Sequence, residues 1–162
     1  MILSEEIKKK SIKIALEKLK LRETRTAPEI VGSSSRWNPV LLRKVSETTV
    51  RAEGRSVMVR VDEDTGEMIG WRYLDAATAS PKIKTTKEEA LRIAQSEIEL
   101  PADAELESVE MINRGGAGYT AIVKWKHMVK GIEVENDYIM VKINPETGEV
   151  ISVTKNWSEV NE

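Results

Sequence analysis

Residues 138–157, YIMVKINPETGEVISVTKNW, echo an earlier stretch at 56–74, SVMVRVDEDTGEMIGWRYL. No other feature restricts the fold as much. In the later copy Ile139, Val141 and Ile143 alternate with Met140, Lys142 and Asn144, the period of a half-buried strand. Asn144-Pro145-Glu146-Thr147-Gly148 then supplies turn chemistry, because proline presets φ and glycine accepts a positive φ. Ile151 and Val153 resume the alternation. Aligning 57–68 with 139–150 gives five identities in twelve positions, six conservative changes and one break, Glu63 against Pro145. A strand–turn–strand hairpin written twice predicts a chain built from two similar modules.

The flanking sequence extends the repeat. A helix is predicted over 4–21, with Ser4 as N-cap, Glu5 and Glu6 in the first turn, and Ile12, Ala15, Leu16 and Leu19 as its apolar stripe. A second is predicted over 85–98, where Thr86-Lys87-Glu88-Glu89 is a capping-box pattern and Leu91, Ala94 and Ile98 form the stripe. In the first half the reading continues with a weak strand over 22–31, demoted by Pro28, and a loop over 32–35. A strand over 37–45 follows, with Pro39 near its start, then a short extended piece at 48–51 and a turn at Glu53-Gly54-Arg55. The second half reads as a strand over 105–113, a flexible turn over 114–118 and a strand over 119–127. Lys130-Gly131 then turns the chain and 132–134 is short and extended. An offset of 82 carries Ile30 onto Ile112, Trp37 onto Tyr119, Val40 onto Ile122 and Val45 onto His127. An offset of 79 aligns Ile14 with Ile93 and Ala15 with Ala94. The expectation is an α+β fold of two tandem units, each one helix packed on a four-stranded antiparallel sheet. The units span 1–78 and 85–162, with a small, polar linker at 79–84. Two copies make a duplication, not a solenoid.

At 162 residues the chain suffices for one ordinary domain or two small ones. It is 40% hydrophobic and 32% charged, with no Phe, so Val, Ile, Leu, Met and four Trp must fill the interior. The absence of Cys excludes disulfides, thiolate metal sites and Cys nucleophiles. No apolar run approaches the roughly 20 residues of a membrane span, and the N-terminus lacks the n- and h-regions of a signal peptide. The net charge of −2 is divided as +4 over residues 1–82 and −6 over 83–162. That asymmetry favours docking of basic on acidic surfaces, within or between chains, over nucleic-acid binding.

Lys130-Gly131-Ile132-Glu133-Val134, followed by 138–150 with its Asn144-x-x-Thr147-Gly148-Glu149 ending, resembles the PepSY family and the related propeptide regions of thermolysin-type peptidases. Val59-Arg60-Val61-Asp62-Glu63-Asp64-Thr65-Gly66-Glu67 matches in the first half, where Thr48-Thr49-Val50 stands in place of Gly-Ile-x-Val. Glu133 departs from the proline that the propeptides often carry there. The resemblance implies two tandem copies of a cystatin-like curved sheet on a helix. It also implies a non-catalytic role in binding or restraining a peptidase, usually outside the cytoplasm. It brings no catalytic residues and no cofactor.

Tests for chemistry point the same way. Asp62-Glu63-Asp64-Thr65-Gly66 fails the calcium-loop register, since glycine falls at position five and Tyr73 at twelve, so a hairpin turn is the better reading. His127, the one histidine, is read as a surface or partly buried structural residue, because a triad or metal site would need every other part assembled around it. Gly115-Gly116-Ala117-Gly118 opens a strand, not a helix, and is not a phosphate loop. The Lys8-Lys9-Lys10 run reads as a solvated helix face, and the tryptophans read mainly as core. Trp71 and Trp157, at the outer ends of the hairpins, are candidates for an exposed partner contact, together with Glu133 and Glu135 on the acidic half. The expected partner is a protein, a peptidase being the class the resemblance names, with homo-oligomers as the other possibility. Neither nucleic acid nor an integral membrane segment is expected. Pro28 and Pro39 should blunt the first half's sheet edge, leaving the second half's edge the more competent one.

Overall fold

A computed structural model describes residues 4–21, 24–39, 41–75 and 77–158. The chain is α+β and divides into two compact units, Met1–Asp75 and Ala76–Glu162.

In the first unit helix α1 (Glu5–Lys18) is started by the Ser4 hydroxyl, which accepts from the Ile7 N–H. Four strands follow: β1 (Glu29–Asn38), β2 (Arg43–Ala52), β3 (Arg55–Asp62) and β4 (Met68–Tyr73). They pair antiparallel in chain order. The β2–β3 turn is Glu53-Gly54, with φ of 50° and 76°, the double positive φ of a type I′ hairpin. α1 lies on β2 and β3. Its Ile7, Ser11, Ile14 and Ala15 meet Val50, Val57, Val59 and Val61, all buried. Ser11 and Ala15, small residues one turn apart on one helix face, are both fully buried.

The first two strands depart from the sequence reading. Gly32-Ser33-Ser34-Ser35, read as a loop, is the middle of β1, paired to residues 46–49 of β2. Residues 39, 41 and 42, read as strand, lie in the β1–β2 connection. The Asn38 side chain accepts from the Leu41 N–H, and the Leu42 N–H donates to the Asn38 carbonyl, so local turn chemistry prevails over apolar alternation. Pairing to β2 holds the glycine–serine run extended despite its low strand propensity. Pro28 and Pro39 flank β1 instead of interrupting it. Of the expected 22–31 strand, residues 22 and 23 lie outside the described residues, as do Val40 of the proposed Val40–Ile122 match and residues 1–3.

In the second unit α2 (Lys87–Glu97) is capped reciprocally. The Glu89 N–H donates to the Thr86 hydroxyl, which donates to the Glu89 carboxylate at 3.1 Å. Strands β5 (Ala104–Asn113), β6 (Tyr119–Val129), β7 (Ile132–Ile143) and β8 (Val150–Asn156) pair antiparallel in chain order. Val123, Trp125, Ile139, Val141, Ile143 and Val153 form the core against Ala90 and Ala94. Residues 77–85 strap this unit. Ser80 bridges Tyr119, its hydroxyl donates to Glu146 at 2.6 Å, and the Lys84 and Thr85 N–H groups both reach the Pro145 carbonyl. A Cβ on Gly118 would stand 2.2 Å from the Ser80 carbonyl, so the strap lies against bare backbone.

Gly66 and Gly148 take φ of 74° and 77°, as their place after Thr predicts. The single offset of 82 does not hold across all strands. It serves 57–73 against 139–155 only, since Trp37 lies near the end of β1 while Tyr119 opens β6. Paired Ser46 and Val61 are 15 residues apart in sequence, whereas their counterparts Ala121 and Ile143 are 22 apart. The β6–β7 hairpin is therefore seven residues longer than β2–β3, and the surplus shifts the register of everything before it.

Candidate functional site

The extended β6–β7 hairpin carries a buried polar cluster centred on His127. His127 ends the core row of β6, two residues after Trp125, and is 1% exposed. Its Nδ1 lies 2.7 Å from Asp137 Oδ2 and its Nε2 lies 2.5 Å from Asp103 Oδ2. Asp103 arrives on the connection between α2 and β5, where the Met128 N–H also holds its carbonyl at 3.0 Å. Asp137 sits on β7 and accepts two further bonds on the same oxygen, from the Ser158 N–H (2.8 Å) and the Ser158 hydroxyl (2.7 Å). Trp157 stacks on the imidazole at 4.1 Å, with planes 15° apart. Four chain segments thus meet on one ring. The sequence reading placed His127 at the surface or half-buried; it is fully enclosed, because the three partners close over it.

The geometry is that of a structural tie between chain segments. Both ring nitrogens are committed to carboxylates, so neither faces a substrate. The Ser158 hydroxyl donates to Asp137 and not to the imidazole, the reverse of the order that activates a serine nucleophile. Among the described residues no group of three or more His, Asp or Glu could hold a metal ion.

Beyond this cluster the hairpin turns at Lys130-Gly131, with φ of 50° and 79°. It presents Ile132, 71% exposed, beside exposed Glu133 and Glu135. The two glutamates singled out from sequence therefore stand at one tip. The two tryptophans do not join them. Trp71 is 3% exposed on β4, edge-on to Tyr73 and beneath the Lys18 ammonium, and Trp157 is the half-buried lid of His127. The exposed tryptophan is Trp37, at 60%, on the edge strand β1 that the alternation argument had misplaced.

The Asp62-Glu63-Asp64 turn is occupied by its own backbone. Asp62 Oδ1 accepts from the Asp64 and Thr65 N–H groups, and Oδ2 meets Arg43 at 3.0 Å. Burial alone pushes the Asp62 carboxyl up. The Arg43 hydrogen bond and charge, with the Thr65 and Asp64 N–H groups, outweigh that and hold it below the usual carboxylate range. Asn144 makes the same turn without a charge, accepting from the Glu146 N–H at 2.9 Å. An open groove along α2, lined by Glu89, Arg92, Ile93, Ser96, Glu97 and Val150, gathers no converging catalytic groups. Among the described residues no helix is long and apolar enough to cross a membrane.

No curated protein matches the chain in sequence. In structure it is similar to the Bacillus megaterium YpeB C-terminal domain, with a TM-score of 0.62 over 99% of this chain and 69% of that one. At 12% identity that likeness is one of fold. A family model described as the YcdB, YcdC repeated domain matches residues 34–157, from the middle of β1 to Trp157. With the match running through seven of the eight strands and all of α2, the chain belongs to the YcdB, YcdC repeated domain family.

Proposed function

We propose that this chain is a non-catalytic, PepSY-like binding module, internally duplicated, that engages a protein partner through the tip of the β6–β7 hairpin. Regulation of a peptidase is the role its PepSY resemblance implies. The observation that carries the reading is the seven-residue extension of that hairpin, which ends in a 71% exposed isoleucine beside Glu133 and Glu135. The His127 cluster stiffens its base, and a rigid apolar anchor rimmed by charge is how binding surfaces concentrate affinity. Duplication is supported by the common order of helix and four antiparallel strands. A bulge at matching places, after Ile30 in β1 and after Leu106 in β5, adds to it.

A photo-crosslinking residue at position 132, compared with one at Arg92 on α2, tests the reading in source cells. The expected result is an adduct specific to position 132. Glu133→Lys with Glu135→Lys should weaken it, more at low salt than at high salt. Regulation is supported if the captured protein is a peptidase whose turnover the wild-type chain slows and the double variant does not. Equal labelling at 132 and 92, or an adduct indifferent to the charge reversal, would reject the hairpin as the docking element.

A further inference from the structure

The β1–β2 connection spends conformational strain on exposed apolar side chains. Leu42 has φ of 56°, a left-handed conformation that bulky residues avoid. At 67% exposure its side chain gains little burial in return. Trp37, 60% exposed, enters the same connection. The corresponding connection of the second unit, residues 114–118, meets the same demand with glycine: Gly115 and Gly118 have φ of 70° and 99°. A glycine would therefore close the first connection at lower cost. Strain retained at an exposed leucine points to a role for that leucine outside the isolated unit.

The surroundings specify the occupant. The β1–β2 connection and the β3–β4 turn lie at one end of the first unit's sheet, tied by the Glu63 N–H on the Lys44 carbonyl at 3.0 Å. Lys44 stands opposite Trp37 in the register, and Arg36 precedes it. Exposed Lys44 shares a sheet face with Trp37, whereas Arg36 lies on the opposite face. Half-buried Glu63, whose carboxylate accepts from the Ser35 hydroxyl, and exposed Asp64 follow on the adjoining β3–β4 turn. A patch carrying both signs next to an apolar pair is complementary to itself. Anionic headgroups would meet Glu63 and Asp64 unfavourably. We infer that this end of the first unit binds a second copy of the chain across a two-fold axis. Trp37 and Leu42 meet their own counterparts there, and Lys44 of each copy faces Glu63 of the other. This rests on no part of the β6–β7 hairpin reading.

Sedimentation velocity on the full chain, over a hundredfold range of concentration, reads the association directly. The expected mass rises from one chain towards two. Leu42→Gly should weaken association by about tenfold or more, the scale of a lost interface anchor. The thermal midpoint of the dilute chain should hold or rise, since glycine relieves the left-handed strain; Trp37→Ser should dissociate the pair similarly. Lys44→Glu and Glu63→Lys should each weaken self-association, while their equimolar mixture restores a mixed dimer. Three outcomes overturn the inference: a monomer at every concentration, a dimer indifferent to both apolar substitutions, or a monomer whose Trp37 end binds anionic vesicles.

Discussion

In the first unit β2 and β3 turn back directly after Ala52, at Glu53-Gly54; in the second, β6 and β7 run on to Lys130-Gly131. Counting two residues outward from the matched pairs Val50–Val57 and Trp125–Ile139 puts His127 at the register position of Ala52 and Asp137 at that of Arg55. The difference shows what a longer hairpin requires. A hairpin that outruns its helix loses the apolar cover that burial would give, and the second unit supplies it instead with a charge-assisted cluster and one stacked indole. The first unit ends at its turn and has Ala52 buried at 2% exposure there, with no comparable network among the described residues.

The largest expected effect breaks this contrast. His127→Ala takes from Asp137, whose side chain is 1% exposed, and from Asp103 the ring nitrogens they bond, and removes the surface on which Trp157 stacks. Deleting a buried side chain of this size together with its hydrogen bonds costs about 2–5 kcal/mol. Chemical denaturation should show that loss, and the Ser158 amide, bonded to Asp137, should exchange faster. A loss below about 1 kcal/mol would mean that the hairpin base stands without the cluster.

A smaller effect separates the two β-turns. Asp62 and Asn144 each accept from the backbone N–H two residues on, and Asp62 adds a bond from the Thr65 N–H and a carboxylate contact to Arg43. Its folded pKa is lowered, so its contribution is present above the unfolded value of about 4 and is lost as pH falls through the folded value. Asp62→Asn should keep the turn and cost about 1–2 kcal/mol near neutral pH, a figure tempered by the partial exposure of Arg43. Denaturant titrations should find the gap to wild type narrowing below about pH 4. A gap independent of pH would refute the assignment.

Where sequence reading succeeded and where it missed has a physical basis. Both helices announced themselves through local caps, Ser4 and Thr86, and the β3–β4 and β7–β8 turns through Thr-Gly pairs whose glycines need a positive φ. β1 was illegible because its centre is Gly32-Ser33-Ser34-Ser35, which is extended only through pairing to β2. The His127 site was illegible because Asp103 and Asp137 lie 24 and 10 residues away along the chain and match no motif. A usable signal did exist. The seven surplus residues between the matched hairpin strands marked the place where the second unit does something the first does not.

The smallest expected effect sharpens the comparison of the cores. The row Thr48–Val59–Trp71 in the first unit corresponds to Val123–Val141–Val153 in the second, and Ser11 of α1 corresponds to Ala90 of α2. All eight residues are buried. Ser11 Oγ, Thr48 Oγ1 and Trp71 Nε1 find no hydrogen-bond partner among the described residues, whereas the second unit's row presents only apolar groups. A buried hydroxyl without a partner costs about 1–3 kcal/mol in proteins. Replacing it by an apolar group of similar shape removes that penalty and leaves no donor behind. Thr48→Val and Ser11→Ala, which copy the second unit into the first, should each stabilise the chain by up to about 1 kcal/mol. The reverse change, Val123→Thr, should destabilise it by more. Denaturation midpoints decide the point: a loss of stability in Thr48→Val would mean that the hydroxyl is satisfied by a buried water, and the two cores would then differ in hydration and not in strain.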